Sequence, residues 1–123
     1  MIDIKNTAES WILMHHAKEG SSTYTENFWA FDALSNLCDS SPEQCLAVIN
    51  QIILIDASDV VLSNLAAGPV EDLLVEHGEQ VISSVIQSAK KSTDWEKMLG
   101  AVWKNDISDH IWQQLKSVAN SSW

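Results

Sequence analysis

The sequence predicts an all-α fold, a single helical domain over residues 1–123 made of roughly seven to eight short antiparallel helices packed as stacked helical hairpins. Three observations carry that prediction. Apolar side chains recur every three or four residues along almost the whole chain, which gives each segment one buried stripe. Stop and start signals interrupt this period at Gly20, Ser41-Pro42, Gly68-Pro69, Gly78 and Ser92-Thr93. No segment alternates apolar and polar residues, so no sheet competes.

The first helix is expected from about Asp3 to Lys18, with Ile4, Ala8, Trp11, Ile12 and His15 on one face and Gly20 as its stop. Ser21 to Thr25 reads as a turn. A second helix, Thr25 to Cys38, buries Phe28, Phe31 and Leu34, with Trp29, Ala33 and Leu37 widening the stripe. Ser41 then stands as N-cap, Pro42 at the first helical position and Gln44 where it completes a capping box. The third helix runs on to Ile55. Cys45, Leu46, Val48, Ile49, Ile52, Ile53 and Ile55 cover most of its circumference, as expected of a central helix. Ser58 caps a short helix, Asp59 to Ala66.

The chain is organised around Leu65 to Gly78. Gly68 is expected to close one helix in the left-handed conformation, Pro69 to open the next, and Gly78 to close that one. Between them Val70, Leu73, Leu74 and His77 form a buried stripe; Asp72, Val75 and Glu76 point away, and Glu71 sits on the flank. Glu79 to Lys91 continues with Val81, Ile82, Val85, Ile86 and Ala89 inward, and Ser92 and Thr93 cap a helix carrying Trp95, Leu99, Val102 and Trp103. The last helix, Ser108 to Ala119, buries Ile111, Trp112, Leu115 and Val118, and Asn120 to Trp123 is a frayed tail. No strict internal repeat is visible.

The formal charge is −10, and its arrangement says more than its size. All seven basic residues are lysines, and none lies between Lys18 and Lys90, a stretch holding eleven acids. That stretch is apolar enough to fold, so the folded middle presents a negative field. Direct nucleic-acid binding is disfavoured, because such affinity comes from Lys and Arg neutralising phosphates. The densest apolar run, Ile52 to Ile55, is far short of the roughly 20 residues that cross a bilayer. With two cysteines and no secretory signal, a cytoplasmic location with free thiols is expected.

Gly68 to Leu74, His77-Gly78, Val81-Ile82, Met98 to Trp103 and Asp109 to Trp112 resemble an uncharacterised bacterial family of small helical proteins, a domain of unknown function with a Gly-Pro-aliphatic-Glu-Asp-Leu-Leu core. The resemblance covers about residues 58–118. It implies an α-helical fold and a bacterial source, and supplies no activity.

Glu71, Asp72, Glu76 and His77 are the densest set of chemically capable groups. Asp72 and Glu76 lie one turn apart, but His77 projects elsewhere, whereas helical carboxylate sites pair Glu with His three residues on. No metal or other cofactor is therefore expected. The acids read instead as partners of a positive helix end and His77 as a core histidine. Cys38 and Cys45 lack the paired spacing of a zinc site and read as inert buried thiols. There is no phosphate loop and no nucleophile elbow, so catalysis is not expected. Trp11, Trp95, Trp103 and Trp112 read as core, Trp29 and Trp123 as possible interface anchors. The expected function is an immunity or inhibitor protein that holds a basic partner, a bacterial nuclease-like toxin domain first among them, through Glu71, Asp72, Glu76, Glu79 and Trp29. A non-catalytic adaptor in a bacterial assembly is the second reading, and a metal-dependent enzyme on the 71–77 helix the third.

Overall fold

A computed structural model describes residues 2–119, and every regular element among them is helical. The elements are α1 (Ile4–His16), α2 (Ser22–Asn27), α3 (Trp29–Ser40), α4 (Pro42–Ile55), α5 (Asp59–Leu65), a π-helical turn (Ala66–Val70), α6 (Glu71–Lys91), α7 (Thr93–Leu99) and α8 (Asp109–Lys116). The all-α class is as the sequence predicts. None of these helices is long and apolar enough to cross a membrane. Trp123, one of the two suggested anchors, lies outside the described residues. The chain gathers into two compact units, Met1–Val61 and Leu62–Trp123.

In the first unit α1 packs on α2, α3 and α4, and α3 on α4. Asp3 caps α1 by accepting from the Asn6 N–H at 2.9 Å, and Ala8, Trp11 and Ile12 are buried as expected. The next segment differs from expectation. Ser21 accepts from the Tyr24 N–H at 3.2 Å and starts α2 where a turn was predicted. The helix then breaks at Phe28 and restarts at Trp29, so the inward stripe of α3 becomes Ala30, Leu34 and Cys38, at intervals of four. Phe31, predicted buried, is turned outward, and its ring lies 5.2 Å from that of half-buried Phe28. Ser41 is the N-cap of α4 by position, but its side chain makes no cap bond, so the expected capping box does not form and Pro42 alone sets the start. Cys45, Val48, Ile49, Ile52 and Ile53 are buried along α4. Its last residues, Leu54 and Ile55, are exposed, which narrows the predicted all-round burial to one broad face.

Two titratable groups tie this unit together. His15 hydrogen-bonds the Trp11 carbonyl at 3.0 Å through Nδ1 and lies 3.8 Å from the Trp11 ring, centroid to centroid. Burial holds its pKa below the ordinary value; the Trp11 carbonyl bond opposes the shift and neighbouring His16 adds to it. Asp56, at the end of α4, accepts from the Ser58 N–H at 2.9 Å and meets His16 Nε2 at 2.8 Å. Burial opposes ionisation there, but the Ser58 bonds and His16 outweigh it and hold the carboxyl below its ordinary value. Both folded values are depressed, so each contribution is whole above the unfolded pKa and is lost as pH falls through the folded one. Stability should therefore drop in two stages on acidification, the first below about 6.5 from His15 and the second below about 3.9 from Asp56. Urea midpoints across pH check this. His15→Gln should flatten the first stage, and an unchanged slope between pH 7 and 5 in that variant would remove the His15 account.

The second unit begins with a correction. Gly68 does not close a helix in the left-handed region; among the described glycines only Gly20 has a positive φ, 85°. Pro69 lacks an N–H and its ring crowds the carbonyl four residues back, and the wider π turn Ala66–Val70 accommodates both defects without a break. The predicted boundary at Gly78 is present as a kink: two helical stretches meet within α6 (Glu71–Lys91) at His77, whose φ of −133° and ψ of 28° are not helical, although Gly78 itself is not left-handed. The kink lets α6 lie against α8 with Gly78 facing Ile111: a Cβ on Gly78 would stand 2.9 Å from Ile111 Cγ1. Glycine is required there for close approach rather than for backbone freedom. Val70, Leu73 and Leu74 are buried as predicted, whereas His77 is only half-buried. Ser92 and Ser108 cap α7 and α8 through the Trp95 and Ile111 N–H groups, both at 3.3 Å. α7 stops at Leu99, earlier than predicted, so Val102 and Trp103 fall in the following loop. Val102 is buried there, but Trp103, predicted to be core, is 72% exposed; Trp112 is half-buried.

Candidate functional site

The kinked helix positions four of the five residues singled out by sequence. Glu71 and Asp72 occupy its first turn, Glu76 the turn before the kink and Glu79 the turn after it. Asp72 is held above the ordinary carboxylate pKa, first by partial desolvation and then by the neighbouring charges of Glu76 and Glu71. Carboxylates gathered in this way repel, and pairs four apart on a helix typically lose about 0.2 to 0.5 kcal/mol. Where the helix bends, a cleft of about 340 Å³ opens, lined by Glu76, His77, Gly78 and Glu79 from α6 and by Ser108 and Ile111. On its α8 side His110 Nε2 lies 3.9 Å from Glu79 Oε1 and accepts the Gln114 amide at 3.0 Å. The cleft thus offers two exposed carboxylates over an apolar floor, a fit for a long cationic side chain whose stem needs cover and whose tip needs acceptors.

Glu71 faces a second cleft, of about 320 Å³, shared with Ala67, Ala101, Trp103 and Asn105. Asn105 Nδ2 donates to Glu71 Oε1 at 3.1 Å and thereby ties the loop after α7 to the start of α6. Asn105 also has a φ of 38°, the one positive value on a non-glycine residue among those described. The Trp103 ring, in the same loop, is exposed to solvent beside Glu71. On its other side Trp103 borders a cleft of about 340 Å³ with Val102, Lys104, Asn105, Trp112 and Lys116. Lys104 pairs with Asp109 at 2.9 Å, and Lys116 stands 5.3 Å from the centre of the Trp112 ring.

Trp29, the fifth residue, is 43% exposed at the start of α3 in the first unit, whereas the four acids belong to the second. Sequence reasoning missed Trp103 because Val102-Trp103 continues the helical spacing of Trp95 and Leu99. The available signal was Gly100 followed by the turn-forming Lys104-Asn105-Asp106 run. Among the described residues no group of three or more His, Cys, Asp or Glu side chains is placed to hold a metal ion.

These features define an all-helical protein with an acidic, tryptophan-flanked surface on its second unit. The chain belongs to the family described as "Family of unknown function (DUF6869)", whose model matches residues 17–123. That span extends beyond the resemblance read from sequence and takes in Trp29, Cys38 and Cys45. No curated protein and no solved structure matches the chain.

Proposed function

We propose that this protein is an inhibitor of the immunity type, of bacterial origin, that holds a basic protein partner against the α6 surface, with a nuclease-like toxin domain as the leading candidate. The carrying observation is the juxtaposition of mutually repelling carboxylates with an exposed aromatic: Glu71 and Trp103 line one cleft, and Glu76 and Glu79 line the next along the same helix. A nuclease groove built for phosphate is rich in Lys and Arg, and capping it relieves the repulsion that Asp72 feels in the free protein. Trp103 takes the part of the anchor, being large and exposed beside Glu71.

The division of labour gives the test. Rim charges act on encounter and the aromatic on residence time. With a basic nuclease domain encoded beside this gene as partner, the association rate should fall steeply between low and physiological salt, where screening acts over about 8 Å. Charge reversal by Glu71→Lys, Asp72→Lys and Glu76→Lys together should slow association. Trp103→Ala should speed dissociation about tenfold or more and leave association nearly unchanged, and Trp29→Ala should do less. Salt-independent association, unaltered by the triple reversal, would sink the proposal. The adaptor reading draws on the basic flank of Trp103, where Lys104 and Lys116 face a different cleft and would suit a second, acidic contact.

A further inference from the structure

We propose that Cys38 and Cys45 form a reversible intramolecular disulfide, which makes the α3–α4 junction a site of two-electron oxidation by a peroxide. Cys38 lies in the last turn of α3 and Cys45 in the first turn of α4, and both are buried. Their sulfurs are 2.9 Å apart, under an ångström more than the roughly 2.0 Å of a disulfide bond. The residues between them are short and fixed: Ser41 donates its N–H to the Leu37 carbonyl at 2.8 Å, and the Cys45 N–H returns to the Ser41 carbonyl at 3.0 Å. The two thiols are therefore held together by helix packing, in place of the separate inert thiols that their spacing suggests.

The chemistry closes as follows. One sulfur, as thiolate, attacks a peroxide oxygen; the O–O bond breaks, and the departing hydroxide takes up a proton as water, leaving a sulfenic acid. The second sulfur attacks the sulfenic sulfur, the S–S bond forms as the S–O bond breaks, and the hydroxyl leaves as water with the second thiol's proton. Two thiols lose two electrons and two protons, and hydrogen peroxide becomes two waters. A dithiol reductant reverses the result by exchange. Two features set the selectivity. Burial admits a small neutral oxidant through local opening but hinders bulky disulfides such as oxidised glutathione. A resolving sulfur already in contact also outruns a second peroxide, so oxidation should stop at the disulfide and not proceed to the sulfinic acid.

The experiment treats the full chain with hydrogen peroxide under conditions that fully oxidise free cysteine, then unfolds it in denaturant with an alkylating reagent. The expected product is a monomer lighter by two hydrogens that takes up no alkyl group before reduction and two after it, with Cys38 and Cys45 linked in one peptide map. Oxidised glutathione should give the same product far more slowly in the folded chain and readily in the unfolded one. Cys45→Ala should never yield the lighter monomer. Both thiols still open to alkylation after peroxide, a disulfide-linked dimer, or a sulfinic acid on the wild-type chain would each overturn the proposal. The wild-type result decides the matter without any variant having to fold.

Discussion

Replacing Gly78 with valine should cost the protein about 3 kcal/mol, because even the first added carbon would stand 2.9 Å from Ile111 Cγ1 and 3.3 Å from its Cδ1. Ile111 is itself buried and β-branched, so it has few rotamers into which to retreat. Gly78→Ala should cost less, about 1 kcal/mol, since the gain from a stiffer unfolded chain offsets part of the clash. The contact is specific enough to be tested by coupling. Ile111→Ala alone opens a cavity, and Gly78→Val alone overfills the crossing, so the double variant should lose clearly less than the two single losses added together. Urea unfolding of the three chains measures this. Additive losses would show that α6 and α8 do not cross at Gly78.

Leu74→Ala is expected to lose about 2 to 5 kcal/mol, the range for a leucine whose removal leaves a cavity. Leu74 is 1% exposed on the face of α6 that also carries Leu73. Leu54→Ala provides the internal comparison, since that leucine is 81% exposed at the end of α4 and its truncation should stay within about 0.5 kcal/mol. Similar losses at the two positions would mean that the inward face of α6 is wrongly assigned.

Much of the inward face was legible in the residues. Trp11, Leu34, Ile49, Leu73, Leu74, Val85 and Leu115 were placed inside from spacing and are buried. The acids of the candidate surface were legible too, because a residue opposite a buried stripe has only solvent to face. Trp103 was not. Spacing carried it inward with Trp95 and Leu99, but α7 ends at Leu99, and whether a residue beyond that point is covered depends on the path of the loop.

What the sequence by itself determined is therefore the helical identity of the chain, its −10 charge, and the inward side of α1, α4 and α6, though not that of α3. Those properties follow from interactions within a turn or two, where periodicity and capping act. The tertiary structure decided the rest. Gly68-Pro69 passes through a π turn because helix on both sides holds the chain on course, where an isolated glycine and proline would mark an end. Gly78 is required by Ile111, 33 positions away. Cys38 and Cys45 meet because α3 packs on α4, and Glu71 comes to share a cleft with Trp103 and with Asn105, which donates to it from 34 positions on. Contacts of this kind depend on which surfaces come together, and a local pattern that records only one surface cannot specify its complement.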